Sequence, residues 1–403
     1  MTVADNNPSE PHPGNQFDVV VIGGGIMGAG VVQAAQAAGY HCLVLEKNSW
    51  GSGTSSKSSK LIHGGLRYLQ SWEFSLVRES LRERTRLLSL APQLVYGNWF
   101  YIPLYEGSRL RSWQLRAGLT LYWLLSGCRT DARFNVVPPA EWPELAGLKT
   151  TGLKKVYRYR DAQTDDTKLT SAVIQSAESL GAEVGSPAEV IAAESTPEGY
   201  RVLMKTASRE RAVHCRFLVN AAGPWANQMA RRITPEPGHL DMDLVQGTHL
   251  LLDRKISDRC FYLESPSDGR AVFVLPWYNT TLLGTTETGF DGDPDQVLPT
   301  AAERDYLLGI LKHYFPDYDG RVCGEMAGLR VLPKAAEGFH HRSREVEFVE
   351  NSHYLAIYGG KLTGYRATAE KVLKRIQKKL GPASAGRRGD TRRLPLPPAK
   401  EQS

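Results

Sequence analysis

The stretch that most constrains this chain is Phe17 to Gly30, FDVVVIGGGIMGAG. A β-branched run, Val19-Val20-Val21-Ile22, enters Gly23-Gly24-Gly25 and then helix-compatible sequence. Gly23, Gly25 and Gly28 form G-x-G-x-x-G after a strand and at the head of a helix, the arrangement of a dinucleotide-binding βαβ unit. Gly23 permits the tight turn, Gly25 leaves no Cβ between backbone and pyrophosphate, and Gly28 lets the helix approach the sheet. Ile26 and Met27 open that helix, whose free N–H groups and positive end face the phosphates. The helix runs from about Ile26 to Ala38 and stops at Gly39. A second strand, His41 to Leu45, ends in Glu46, 18 residues past Gly28 and well placed for a ribose. Lys47 beside it would suit a 2′-phosphate, but Glu46 argues against one. The other reading, a glycine-rich turn that binds nothing, lacks support from this strand–turn–helix context.

A chain of 403 residues is long enough for two intertwined domains with sizeable cores. The net charge of +6 is local: residues 361–400 hold twelve Lys/Arg against two Asp/Glu. The remainder is slightly acidic, which weakens the case for a nucleic-acid-binding body. The five cysteines are scattered and form no C-x-x-C pair, so neither a disulfide framework nor a metal site is indicated, and reduced thiols in cytosol fit. Residues 1–16 are polar, resemble no secretory signal and read as a disordered leader. No run reaches 18 uninterrupted apolar residues, so no spanning helix is expected.

Asn48 to Lys60, NSWGSGTSSKSSK, reads by composition as a surface loop, but it leaves the second strand at the ligand edge of the sheet. In LIHGGLRYLQ, His63-Gly64-Gly65 lets backbone approach a flat group, with Arg67 close by. Phe74 to Leu90 is an amphipathic helix. Around 109–129, Trp, Tyr and Leu alternate with Arg; this suits a helix lying on a membrane interface, or equally one packed on its own domain. A helix over Thr167–Leu180 precedes a hairpin of Tyr200–Lys205 with Ala212–Phe217, and FLVNAAG leads into Gly223-Pro224-Trp225. From Leu240 to Phe290 the alternation predicts an antiparallel sheet. Residues 294–315 read as helical, and a basic helix over Thr363–Leu380 precedes a Pro/Arg-rich tail. The expected architecture is α/β: a Rossmann-type cofactor domain (17–94, 155–239, 321–380) interleaved with an antiparallel substrate domain (95–154, 240–320). The tail, 381–403, is expected to be disordered.

VVVIGGGIMGAG (19–30), TSSKSSKLIHGGLRYL (54–69), NAAGPW (220–225), VFVLPW (272–277), LLGTTETGFDGDP (282–294), GLRVLP (328–333) and YGGKLTGYR (358–366) follow one another in the chain. In this order they resemble the FAD-dependent glycerol-3-phosphate dehydrogenases, from about Phe17 to Leu380. The resemblance implies FAD as cofactor, oxidation of sn-glycerol 3-phosphate to dihydroxyacetone phosphate, and electrons passed to a quinone or another acceptor. It also implies a peripheral membrane association on the cytoplasmic side, through 109–129. Many members carry a further C-terminal helical domain, and the chain is expected to lack it.

The chemistry needs a hydride acceptor, a base for the hydroxyl proton, and positive charge for a phosphorylated substrate. The resemblance places FAD along Gly23, Gly25, Ile26, Met27, Gly28 and Glu46. It adds Thr54, Ser55, Ser56, Ser59, Lys60, Leu61, His63, Gly64 and Gly65, then Ala222, Gly223 and Trp225, and Gly360, Lys361, Leu362 and Thr363. Candidate catalytic residues are His63, His249, Arg330 and Lys361; either histidine, or Glu287, could be the base. Arg330 is either a core ion pair or a phosphate clamp. Arg67, Lys361 and Arg366 are further substrate-binding candidates. Lys168 and Gln246 stand where the family often has Arg and Lys, which leaves room for another 2-hydroxy acid or an amine as substrate. A flavin-binding partner protein without turnover is a further alternative.

Overall fold

The structure is a computed structural model that describes residues 15–334, 345–383 and 385–398. The strand Gln16–Ile22 lies between two parallel partners, Cys42–Leu45 and Glu210–Asn220. Val19, Val20 and Val21 are fully buried there, as a continuous β-branched run requires in a sheet covered on both faces. The sheet has nine strands among the described residues, and Tyr354–Tyr358 extends it in parallel beyond Glu210–Asn220. The helices Asp166–Ser179 and Tyr365–Leu380 each pack against Ile26–Ala37 over this sheet. The dinucleotide-type unit and the hairpin (Glu210 opposite Lys205) form as the sequence implies. Of the leader, residues 1–14 lie outside the described residues.

The second sheet has ten strands among the described residues and is largely antiparallel. Cys260–Glu264 and Ala271–Trp277 have the bounds that their alternation predicts. The domain boundaries need correction. Leu153–Thr164 pairs along its length with Val95–Tyr105, so it belongs to the second sheet although 155–239 was expected in the cofactor domain. Val322–Pro333 likewise runs antiparallel to Met242–Leu252, with Arg330 opposite Val245, and is not part of the cofactor sheet. Even Leu61–Ile62 pairs with Gln163 and Ala162. These crossings stitch the two sheets together along the line where the glycine- and serine-rich loops lie.

The tail is not disordered over 385–398. The N–H groups of Arg388 and Gly389 donate to Ala37 O at 2.7 and 2.9 Å, capping the end of the first helix. Leu396 is buried, and its N–H donates to Leu90 O at 2.8 Å. The helix Ser112–Leu125 buries Leu115, Leu119 and Tyr122, leaving Trp113 and Leu124 exposed. No helix among the described residues is long and apolar enough to cross a membrane. The five cysteines carry no disulfide; burial pushes the Cys215 and Cys260 thiols up to about 12.

Arg366 corrects a sequence expectation. Its guanidinium is buried, donates to both oxygens of Glu83 at 2.6 Å and pairs with Glu370 at 2.7 Å. It fastens the last helix to Phe74–Leu90 and does not line the cavity described below. Removing one partner of such a buried pair costs about 3–5 kcal/mol. Arg366→Ala is therefore expected to lower the urea-unfolding free energy by about 3 kcal/mol. The substrate KM of the protein that remains folded should be unchanged; a raised KM at full stability would return Arg366 to the binding site.

Candidate active site

One continuous cavity of about 630 Å³ runs along the junction of the two sheets. At one end the glycine loop has the geometry its sequence implies. Gly23 has φ +104°, and a Cβ there would lie 2.6 Å from Ala221 O. A Cβ on Gly28 would lie 1.9 Å from Gly23 O, so Gly28 shapes the turn without lining the cavity. The first helix has Gly25 as its N-cap, no side-chain cap bond and no acid in its first turn. No acid of its own first turn offsets its positive end, which lies beside the cavity next to Ile26 and Met27. Ile26 N–H donates to Ser55 Oγ at 2.9 Å. The amides of Met27 and Gly28 have no carbonyl of their own helix to reach. Glu46 Oε2 accepts from Gly24 N–H at 2.7 Å and Oε1 from Asn48 N–H at 2.8 Å, so this carboxylate shapes the loop as well as lining the cavity. Ala222, Gly223 and Trp225 line the same end, where Lys47 Nζ stands 4.5 Å from the Trp225 ring and 2.7 Å from Asp295.

The Asn48–Lys60 loop is held by a buried ion pair. Lys60 Nζ lies 2.7 Å from Asp166 Oδ1, and Ser58 Oγ donates to Asp166 Oδ2 at 2.6 Å. Burial raises the Asp166 carboxyl, and Lys60 opposes the shift. Thr54, Ser55, Ser59 and Leu61 line the cavity, whereas Ser56 and Lys60 do not. Ser56 Oγ donates to Ser52 O and Gly53 O, both at 3.2 Å, and Lys60 turns to Asp166. These two residues shape the loop instead of touching a ligand. Gly64 is likewise set back: its N–H donates to Tyr122 Oη at 2.9 Å, with Asp161 Oδ1 at 3.3 Å. Gly65, at φ +78°, does line the cavity.

The middle of the cavity gathers His63, Gly360, Lys361, Leu362 and Thr363. His63 N–H donates to Thr363 Oγ1 at 3.1 Å, tying two loops that are far apart in sequence. Gly360 has φ +99°, and a Cβ there would lie 2.4 Å from Met27 Cε. Lys361 Nζ stands 3.7 Å from the Tyr68 ring centroid, and the His63 and Tyr68 rings stack at 6.4 Å. Beyond them are Arg67 and Arg330. Arg330 donates to Glu287 Oε1 at 3.1 Å, Thr286 O at 2.8 Å and Thr285 Oγ1 at 3.3 Å. Arg67 lies 3.9 Å from the other Glu287 oxygen. Arg330 is thus ion-paired and cavity-lining at once, and Glu287 lies between the two arginines.

Tyr262 and Phe273, opposite each other across neighbouring strands, line this end with Phe100, Tyr159 and Asp161. Sequence reading missed this aromatic wall, although the alternation in CFYLE and AVFVLPW puts Tyr262 and Phe273 on faces opposite their most buried neighbours. Burial pushes the Tyr262 phenol up to about 12, so it is a neutral hydroxyl at physiological pH. Gln246 and Lys168 do not line the cavity. Gln246 Nε2 donates to the buried Glu303 carboxylate at 2.6 Å, and Lys168 lies over the Tyr278 ring. Neither position therefore reports on the substrate's charge.

Residues 18–369 match the model of the FAD dependent oxidoreductase family. An aerobic glycerol-3-phosphate dehydrogenase of Staphylococcus haemolyticus is 31% identical over 91% of this chain and 68% of its own length. The chain belongs to the FAD-dependent oxidoreductase family and, within it, to the flavoprotein glycerol-3-phosphate dehydrogenases. A glycerol-3-phosphate dehydrogenase from Bacillus halodurans, solved in complex with FAD, superposes with a TM-score of 0.74 at 27% identity, covering 95% of this chain and 68% of that one. A glycine oxidase from Geobacillus kaustophilus shares the fold at 20% identity with a TM-score of 0.71, covering 93% and 99%. The helix N-terminus at Gly25, with no acid in its first turn, and the backbone of Gly23, Gly25 and Gly360 along the cavity fit FAD, this flavoenzyme's cofactor.

Burial holds His249 down to about 3, with the Lys60 and Arg330 charges acting in the same direction. An unfolded chain protonates this imidazole below about 6.5 while the folded one does not. Between those values the unfolded state binds the extra proton, so stability falls as pH drops below 6.5. The expected outcome is that His249→Asn flattens the acid limb of the urea-midpoint-against-pH curve by close to one proton's slope. An unchanged limb would show that His249 is protonated in the fold.

Proposed function

We propose that this flavoenzyme oxidises the secondary alcohol of sn-glycerol 3-phosphate to dihydroxyacetone phosphate. The observation that carries the reading is the cationic end of the cavity. Arg67 and Arg330 meet there on either side of Glu287, and Lys361 lines the same cavity. A guanidinium already held by Glu287 and Thr286 O is oriented before any anion arrives, which reduces the ordering cost of binding. Arg330 offers planar paired donors to phosphate, and Lys361 a point charge. Bound FAD supplies the two-electron acceptor. His63 is the candidate base: it lines the cavity beside Lys361 and Tyr68, and an imidazole needs little tuning to take a proton near neutrality. His249, buried and held neutral, fits that role less well. The aromatic wall of Tyr159, Tyr262 and Phe273 keeps water from the reacting carbon.

The reading includes transfer of electrons to a quinone or another acceptor. Contact with a membrane surface through 109–129 would suit it, since Trp113 and Leu124 are exposed there along with Arg111 and Arg116. A different 2-hydroxy acid or amine would fit the same fold, and its carboxylate would meet the same arginines.

The test is anaerobic. Adding sn-glycerol 3-phosphate to the FAD-loaded protein is expected to bleach the visible flavin spectrum. Arg330→Ala should lower kcat/KM roughly ten- to hundredfold, the worth of a charged hydrogen bond, with partial recovery in Arg330→Lys. A flavin that stays oxidised with this substrate but bleaches with 2-hydroxy acids or amines would replace the substrate assignment.

A further inference from the structure

His249 sits on the strand Met242–Leu252, opposite Gly284. A Cβ on Gly284 would lie 2.4 Å from His249 Cδ2, so the ring is pressed against bare backbone and cannot swing to that side. Its Nε2 lies 2.9 Å from Ser59 Oγ. Its Nδ1 is buried with no hydrogen-bond partner among the described residues. Ser59 Oγ, in turn, has His249 as its one hydrogen-bond partner among the described residues, and Ser59 lines the cavity.

A neutral imidazole carries one N–H. Placing it on Nδ1 would orphan a buried donor and draw the Ser59 proton back to Nε2, away from the cavity. Placing it on Nε2 gives the donor a partner and leaves only a lone pair unmatched, and buried orphan N–H groups are the rarer defect. We infer that His249 donates from Nε2 to Ser59 Oγ and thereby fixes the Ser59 hydroxyl as a hydrogen-bond donor into the cavity, to the bound flavin. His249 is then a positioning residue acting through Ser59. The neighbouring loop residue Lys60 is fixed to Asp166, so Ser59 is held on both sides, by the sheet and by its own loop.

This inference rests on the FAD reading of the cavity. The measurement is the FAD dissociation constant of the apoprotein, followed by flavin fluorescence, together with the midpoint potential of the bound flavin. Ser59→Ala is expected to weaken FAD binding roughly three- to tenfold, the worth of one net hydrogen bond, and to shift the potential. Ser59→Thr, which keeps the hydroxyl, should restore both. His249→Phe, which keeps a ring without the N–H, should match Ser59→Ala, and the double variant should be no weaker than either single one. A Ser59→Ala protein with wild-type affinity and potential would overturn the inference and leave the FAD reading standing. So would additive losses in the double variant, since these require two independent roles. Wild-type apoprotein that takes up no FAD would defeat the cofactor reading itself.

Discussion

The buried pair of Lys60 and Asp166 is the constraint on which the site depends. The loop that carries the pair has almost no apolar residue with which to pack, so its shape cannot come from a core of its own. It comes instead from an ammonium and a carboxylate 2.7 Å apart at the head of the helix Asp166–Ser179, with Ser58 closing on the same carboxylate. Breaking such a pair costs about 3–5 kcal/mol, because the charge left behind is desolvated without compensation. That is enough to hold Ser55 against the first helix and Ser59 against His249 while leaving the loop backbone open to a ligand. The same pair contributes to the electrostatics around His249, since the Lys60 charge disfavours a second positive charge there.

At the far end another buried carboxylate organises the wall that carries Arg330. Burial pushes the Glu303 carboxyl up, but the hydroxyls of Thr286 and Thr248 and the N–H of Thr300 outweigh it and hold it below the usual range. Thr286 donates to Glu303 at 2.6 Å, and its carbonyl accepts from Arg330 at 2.8 Å. A helix of the second domain thus fixes the segment that carries Thr285, Thr286 and Glu287, and through it the direction of Arg330. Gln246 is the amide that completes this cage, which explains why a neutral residue there says nothing about the charge of the substrate.

The cofactor half was legible in the sequence because its rules are local. A β-branched run, three glycines at fixed spacing and an acid at the end of the next strand each act within a few residues of themselves. Strand existence was legible too, since alternation alone bounds Cys260–Glu264 and Ala271–Trp277. Strand partnership was not. Neither the charged Leu153–Thr164 nor the more apolar Val322–Pro333 carries a local mark of its sheet, and only their distant partners, Val95–Tyr105 and Met242–Leu252, assign them to the second. Arg366 shows the same limit on a smaller scale. Thr363 reaches His63, but three residues further a helix has turned, and the guanidinium faces Glu83. The tail was misread because its order comes from backbone N–H groups that meet Ala37 O, and composition does not reveal such partners.

The two histidines singled out by sequence separate for a reason that motif reading cannot supply. Both stand in motifs of the family, and both are near the cavity. His63 lies on a loop with its ring beside Tyr68, among groups that a ligand can reach. His249 lies on a strand, buried, with one nitrogen on Ser59 and the other facing no partner among the described residues. A proton-accepting role needs a nitrogen that reaches the substrate and a surrounding that tolerates the cation. Burial between Lys60 and Arg330 denies His249 the second condition and leaves it suited to orienting a neutral hydroxyl. The sheet therefore contributes fixed charge and fixed dipoles around the cavity.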